Sequence, residues 1–366
     1  MKIEIIREKL LGAVGFAERV AGKHVSLPIL SSIVLDASTD QVFVKATNLD
    51  LGIEIPVAGK VFEKGSVALS GGILKSFLSN ISDKNIVLEV VENTLSVVSE
   101  RGTAKIKTIP SDDFPQIPQV KDGDTFSISS DDLSEIVKSV GYSASISTIK
   151  PELSSIFIFL DGETLVSVAT DSFRLAEKRI KLKKKSDLKE LLIPEKNISE
   201  ISKVFEGLKK DIEVRSNKNQ VSFFADGIHV TSRAVDAVFP DYKQIIPKEF
   251  SSTCTILKED LAQALKLTSA FSDNFNQVSV SLSASNKTLS LKTKNNDIGE
   301  SENSIKGSFS GVDVSINFNH RYIYECLQSI NTESLSVNFA GANRPAVIKE
   351  SSNNNTFTYL VMPMNR

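Results

Sequence analysis

Tryptophan is absent from this 366-residue chain and tyrosine numbers five, so aromatic platforms for stacking single-stranded bases are poorly supplied. Cysteine is nearly absent too. Cys254 and Cys326 form no C-x-x-C pair, which argues against a disulfide framework and for a reducing compartment. His24, His229 and His320 lie far apart, none within metal-ligand spacing of a cysteine or of another histidine. The chain holds no G-x-G-x-x-G, no G-x-x-x-x-G-K-[ST] and no G-x-S-x-G. No apolar run approaches the roughly 18 residues of a membrane span; the longest, Leu10 to Ala17, is interrupted by two glycines. A charge surplus is missing as well. Lys and Arg total 43 against 45 Asp and Glu, a net −2, which argues against coating nucleic acid by charge alone but leaves room for a basic surface balanced elsewhere. The opening Met1-Lys2-Ile3-Glu4 is charged too early for a signal peptide. These absences describe a cytoplasmic protein with no metal, no cofactor and no membrane contact.

What is present is a pattern written three times, with a period near 124 residues. A strand leads into a helix at Met1–Leu11, Phe126–Val137 and Cys254–Leu265, and Leu10, Leu133 and Leu261 each open an apolar stripe at helical spacing. Ser130 or Asp131 is the expected N-cap of the second helix. A β run ends in a threonine turn at Thr47-Asn48, Thr170-Asp171 and Thr293-Lys294-Asn295, the threonines 123 residues apart both times. A second strand-to-helix unit occupies Val67–Leu78, Leu191–Val204 and Val314–Leu327, with Pro194 expected in a first helical turn. Phe114-Pro115 and Phe239-Pro240 mark two turns, and the third copy ends in Met362-Pro363-Met364. Strong β alternation fills Ile86–Val98, Ile156–Val168 and Val278–Leu291. The expected class is α+β: three similar domains, 1–121, 122–248 and 249–366, each of two helices on antiparallel sheets. Such a curved array closes if it dimerises.

Converging chemistry for catalysis is lacking. Asp112-Asp113 and Asp131-Asp132 flank a turn and a helix start, where Asp caps backbone N–H groups more readily than it shares a catalytic proton. Gly71-Gly72 reads as a helix start. The run Lys181-Leu182-Lys183-Lys184-Lys185 reads as a solvated loop, since no aromatic residues interleave with it.

Four segments resemble one family, the bacterial β sliding clamps, processivity subunits of DNA polymerase III. They are Ser26-Leu27-Pro28-Ile29-Leu30, Val168-Ala169-Thr170-Asp171-Ser172-Phe173-Arg174-Leu175-Ala176, Phe239-Pro240-Asp241-Tyr242 with Ile246-Pro247, and Tyr359-Leu360-Val361-Met362-Pro363-Met364. The resemblance spans the whole chain. It implies a non-enzymatic head-to-tail homodimer, a ring of six domains with helices lining the hole and sheets outside. The ring holds duplex DNA because it is closed, without reading sequence. It also implies a groove for short peptides of the polymerase III alpha subunit, of clamp-loader subunits and of other replication and repair proteins. At matching positions the groove would use Leu153, Thr170, Arg174, Leu175, Pro240, Ile245, Val347, Leu360, Met362, Pro363 and Met364. Methionine suits a surface with several partners. Ser172 and Phe173 stand where the family usually has Gly-His. Glu152 stands where an aromatic is common and Asn365 where Arg is, so the preferred peptide should differ.

Basic residues expected to face DNA are Arg7, Lys9, Arg19, Lys23 and His24 in the first domain's helix and tip, and Lys75, Lys138, Lys196, Lys203, Lys266 and Arg321 on other helices. Solvated helix faces with i,i+4 pairs are the alternative reading. The resemblance also places a dimer interface at Lys75, Arg101, Ala104, Lys105, Ile106 and Lys107 against Ala270, Phe271, Glu300 and Glu302, with Ile106 and Phe271 in its apolar centre. A three-domain β-rich scaffold binding only proteins is the competing function, and a hydrolase with scattered acids the third.

Overall fold

A computed structural model describes residues 1–22, 27–100, 102–183, 186–352 and 356–364. Lys23, His24, Ser26, Arg101, Lys184, Lys185 and Asn365, all singled out above, lie outside the described residues. The described residues hold six α-helices: α1 (Arg7–Val20), α2 (Gly71–Ser79), α3 (Ser130–Val140), α4 (Glu195–Phe205), α5 (Lys258–Ser269) and α6 (His320–Cys326). Each follows closely on a strand, as the two strand-to-helix markers anticipate. Leu10, Leu133 and Leu261 are each the fourth residue of their helix and only 0%, 3% and 2% exposed. Around them run stripes at spacing three and four, such as Leu10, Ala13, Val14 and Ala17 in α1 or Leu261, Ala264, Leu265 and Thr268 in α5. Helix ends are secured locally. The N–H of Arg7 donates to the Lys84 carbonyl at 3.0 Å. The Asn319 side chain caps α6 by accepting from Arg321 N. Glu259 and Asp260 sit at the positive end of α5 and Lys266 near its negative end.

Three local expectations are corrected. Pro194 closes the strand Glu190–Pro194, where it pairs with Ser155, and α4 starts one residue later. Ser130 lies inside α3, and its buried hydroxyl donates to the Phe205 carbonyl at 2.6 Å. The third threonine breaks the pattern: its strand continues to Asn295, and Thr293 Oγ1 donates instead to Thr268 O at 2.8 Å on α5.

The fold clusters into two compact units. The first comprises Met1–Asp131, Ser186–Leu188 and Lys196–Ala234. Its strands form one antiparallel sheet of thirteen, in which Leu51–Val57 of the first repeat pairs with Ile228–Arg233, the last strand of the second. Gly71 lets α2 approach α1, since a Cβ there would come within 2.9 Å of Ile33 and 3.2 Å of Glu18. The second unit comprises Asp132–Lys185, Lys189–Glu195 and Val235–Arg366. It contains a nine-stranded sheet and a four-stranded one; in the larger, Arg174–Lys181 pairs with Phe357–Val361, the chain's last strand. In both units the sheet continues across the boundary between repeats, so the compact units do not coincide with thirds of the sequence.

Truncating Leu10, Leu133 or Leu261 to Ala should each cost about 2–5 kcal/mol, the range for a buried leucine. The same change at Leu257, 43% exposed, should stay within about 0.5 kcal/mol. Urea denaturation of the four variants checks this; near-neutral effects at any of the three leucines would contradict their equivalence.

Candidate functional site

The longest motif folds into a tight turn held by its own side chains. Thr170 Oγ1 donates to Arg174 O at 2.6 Å and accepts from Ser172 N at 3.2 Å. Asp171 Oδ1 accepts from Phe173 N at 2.9 Å and from Arg174 N at 3.0 Å. Ser172 sits at φ 77°, the left-handed region that suits glycine, and its neighbour Phe173 is pushed out to 61% exposure. The strand that leaves the turn carries Leu175, fully buried against Leu360 of the last strand, which pairs in turn with Val347.

These three residues belong to an apolar cluster with Phe157, Val166, Val168, Leu192, Phe239 and Tyr242. Met362, Ile246 and Phe250 pack against it, partly buried. Phe239 stacks on Phe157 at 4.8 Å between ring centroids. The Tyr242 hydroxyl donates to Glu177 Oε2 at 2.5 Å, and burial together with that carboxylate holds its pKa far above the usual tyrosine value. Beyond the last strand, Met362 N donates to Phe173 O and Met364 N to Asn317 O, both at 2.8 Å, which lays the tail over the turn. Phe173, Pro240, Ile245, Met362, Pro363 and Met364 are each partly or largely exposed, and of these Met362 packs against the buried cluster.

Arg174 is 8% exposed and engaged on several sides. Its Nε donates to Asp171 at 2.9 Å, its Nη1 to Glu325, and its guanidinium lies over the Tyr322 ring at 4.4 Å. Burial alone would lower its pKa, but the Glu325 hydrogen bond and the charges around it raise it above the ordinary arginine value. Arg174 is therefore a strut tying the turn to α6. Thr170 also works inside the turn, and Leu153 is buried, its carbonyl accepting from Ser145 N at 2.8 Å. Sequence reading missed Phe157, Phe159, Tyr322 and Glu325. Nothing in their spacing singles them out, whereas Phe239 and Tyr242 stood inside a quoted motif.

Of the basic helix residues, Arg7 is turned inward. Its Nε and Nη1 donate at 3.0 Å to the carbonyls of Asp83 and Leu78, at the end of α2. That corrects its assignment to DNA. Arg19 and Lys203 both bind Glu200, at 2.9 and 2.7 Å, and Lys75 binds Glu18 at 3.2 Å. Lys9, Lys138, Lys196, Lys266 and Arg321 are exposed on their helices. Of the edge residues, Ala104 is half-buried while Lys105 and Lys107 are exposed on one face of Gly102–Ile109. Ile106 is 4% exposed on the opposite face, inside its own sheet, so it backs that strand and does not form the apolar centre of an interface. Gly299–Lys306 is the edge strand of the four-stranded sheet and bears exposed Glu300 and Glu302. Phe271, half-buried, lies 3.8 Å from where a Cβ on Gly299 would stand, and Ala270 beside it is exposed. Among the described residues no three His, Cys, Asp or Glu are placed to hold a metal, and no helix is long and apolar enough to cross a membrane. Cys254 and Cys326 are free and buried, and burial pushes the Cys254 thiol up to about 12.

Asp171→Ala should remove the turn's two backbone acceptor bonds and one of the two carboxylates that hold the buried Arg174. A loss of about 2–4 kcal/mol is expected. Urea denaturation measures it, and a loss under about 0.5 kcal/mol would show that the turn does not depend on this carboxylate.

Comparison with known proteins agrees along the whole chain. Family models described as the N-terminal, central and C-terminal domains of the DNA polymerase III beta subunit match residues 1–118, 127–241 and 243–365. A beta sliding clamp of Staphylococcus epidermidis is 24% identical over 374 aligned residues, covering 100% of this chain and 99% of the relative. The crystal structure of the DNA polymerase III beta subunit of Thermotoga maritima matches at a TM-score of 0.94 and 25% identity, covering 100% of this chain and 99% of that one. The sliding clamp of Bacillus subtilis matches at 0.93 and 23% identity over the same shares. Three successive domains of one family, in order and end to end, make this chain a member of the DNA polymerase III beta subunit, or beta sliding clamp, family.

Proposed function

We propose that the chain acts as a DNA sliding clamp, a non-catalytic accessory subunit that closes around duplex DNA and tethers a polymerase to it. The observation that carries this reading is the unbroken run of three clamp domains along the chain. Divided by the repeat, the domains are 1–121, 122–248 and 249–366. Two chains join head to tail into a six-domain ring in the cytoplasm, with no cofactor.

Two open strand edges support the assembly. Along Gly102–Lys107 the first repeat's strand pairs on one side only among the described residues, and Gly299–Lys306 ends its sheet. Lys105 and Lys107 on one edge and Glu300 and Glu302 on the other discourage like-with-like pairing and favour the heterologous one. Arg101, Lys75 and Ala104 would flank the basic side, Ala270 and Phe271 the acidic side. Exposed Lys9, Lys138, Lys196, Lys266 and Arg321, with Lys23 and His24, would meet phosphates loosely, and Arg19, Lys75 and Lys203, which pair with acids, would add to them. Binding to a short open duplex is then weak and falls with salt.

The polymerase alpha subunit and clamp-loader subunits attach through short peptides that seat large apolar side chains on the rim of Phe173, Pro240, Ile245, Met362 and Met364. Leu175, Val347 and Leu360 form the floor beneath. Burying one Leu or Phe contributes roughly 1.5–3 kcal/mol, enough for micromolar affinity from two anchors and a few backbone bonds after ordering costs.

Deleting Met362 to Arg366 should abolish binding of a labelled polymerase peptide, read by fluorescence anisotropy. Sedimentation should still report a dimer, because the open edges lie elsewhere in the sequence. Wild-type peptide affinity in the truncated protein would move the groove elsewhere; a monomer at micromolar concentration and low salt, for the intact chain, would remove the ring.

A further inference from the structure

Helices α5 and α6 lie side by side in the second unit and leave a cavity of about 140 Å³ between them. α5 supplies Leu265, Lys266 and Ser269 to its walls. α6 supplies His320, Arg321, Tyr324 and Glu325. Residues at i, i+1 and i+4 share one face of a helix, and each helix turns that face to the other. Ser269 is the smallest of these side chains. Its hydroxyl turns back to the Lys266 carbonyl at 2.8 Å, so it fills little of the space.

The walls divide by chemistry. Leu265 is buried and Tyr324 is 41% exposed, so an aliphatic chain and an aromatic ring face the space. Lys266 and Arg321 are exposed, and neither has an ion pair among the described residues. Lys266 Nζ lies over the Tyr324 ring, 5.9 Å from its centroid. The acid of the cavity, Glu325, is already bound to Arg174. His320 is 8% exposed, and its Nε2 has no hydrogen-bond partner among the described residues. Burial and the nearby Arg321 charge hold its pKa below the usual histidine value, so at neutral pH it is an uncharged group with one N–H to give. The backbone N–H groups of His320 and Arg321 are taken by Asn276 and Asn319, so attraction for an anion rests with the side chains.

Two cations without acids beside an apolar space call for an anion with an apolar body. A bare phosphate or sulfate would meet the cations and leave Leu265 and Tyr324 wet. A space near 150 Å³ holds one benzene-sized ring, and a tyrosine ring favours a second aromatic ring set offset or edge-on against it. A buried ring nitrogen without a partner is uncommon in a native protein, and here it belongs to a residue of the cavity wall. We propose that the cavity between α5 and α6 is a binding site for a small aromatic carboxylate, its ring between Leu265 and Tyr324 and its carboxylate at Lys266, Arg321 and the Nε2–H of His320. Occupancy draws on two of the cations proposed to meet DNA phosphates, but the site itself does not depend on that reading.

The test titrates benzoate into the full-length protein and reads binding by ligand-observed saturation-transfer NMR. A dissociation constant on the order of 1 mM is expected for a single-ring fragment. Benzyl alcohol, the uncharged analogue, should bind about fivefold more weakly, the upper worth of an exposed ion pair. Arg321→Gln should weaken benzoate by about the same factor and leave benzyl alcohol unchanged. Ser269→Leu fills the space without changing a charge and should remove binding of both. No binding of benzoate to the wild type, equal binding of benzoate and benzyl alcohol, or undiminished benzoate binding to Ser269→Leu would each overturn the proposal. None of these titrations contains DNA, so failure of the clamp reading would leave them as they are.

Discussion

The last strands of the second and third repeats satisfy their backbone hydrogen bonds on both sides, and each does so by joining the repeat before it. Phe357–Val361 lies between Ala346–Glu350 of its own repeat and Arg174–Lys181 of the preceding one; Ile228–Arg233 lies in the same way beside Leu51–Val57. Each junction is therefore a backbone ladder, stiffer than a tether of side chains. The threonine turn makes it possible, because it reverses the chain at the point where the neighbouring strand must enter. Strand continuity explains why the compact units cut across the repeats, and why the chain's tail is delivered to the Phe173 carbonyl. The third repeat differs at this point. Its strand runs on past Thr293, and that hydroxyl turns to α5.

Much of this was legible in the sequence, because repetition multiplies weak signals. One leucine at helical spacing says little; Leu10, Leu133 and Leu261 in register specify three equivalent helices. Thr47 and Thr170 marked the turns for the same reason. What stayed hidden depends on where a side chain finds its partner. Arg7 looks like any basic helix residue until the carbonyls of Leu78 and Asp83, more than 70 residues away in sequence, take its guanidinium. Ile106 alternates with Lys105 and Lys107, and period two alone does not say which face meets the core. Tyr322 and Glu325 surround Arg174 across the fold with no pattern to announce them. The tail motif and the Phe239-Pro240 motif supplied Leu360, Met362, Phe239 and Tyr242 of the buried cluster and its margin, while Phe157 and Leu192 came from strands that only tertiary structure brings beside them.

The chemistry of the site suits attachment without catalysis. Its titratable groups are committed to one another: Arg174 to Asp171 and Glu325, Tyr242 to Glu177, Lys178 to Glu135. Phe173, Met362 and Met364 stay partly or largely exposed beside a buried cluster of Leu175, Val347, Leu360, Phe157, Phe239 and Tyr242, the surface proposed here for peptide anchors. The helices carry exposed cations such as Lys9, Lys196 and Arg321, with acids such as Glu18 and Glu200 among them. In the proposed ring weak contact suffices, since a ring that gripped its DNA would not slide.

Retention on DNA distinguishes a closed ring from an open clasp. The protein is loaded onto a nicked circular duplex by its clamp loader, the circle is isolated by gel filtration in moderate salt, and half is then linearised by one restriction cut. A closed ring should stay with the circle and be lost from the linear form through its free ends. Equal retention on both, or equal loss from both, would contradict a topological tether.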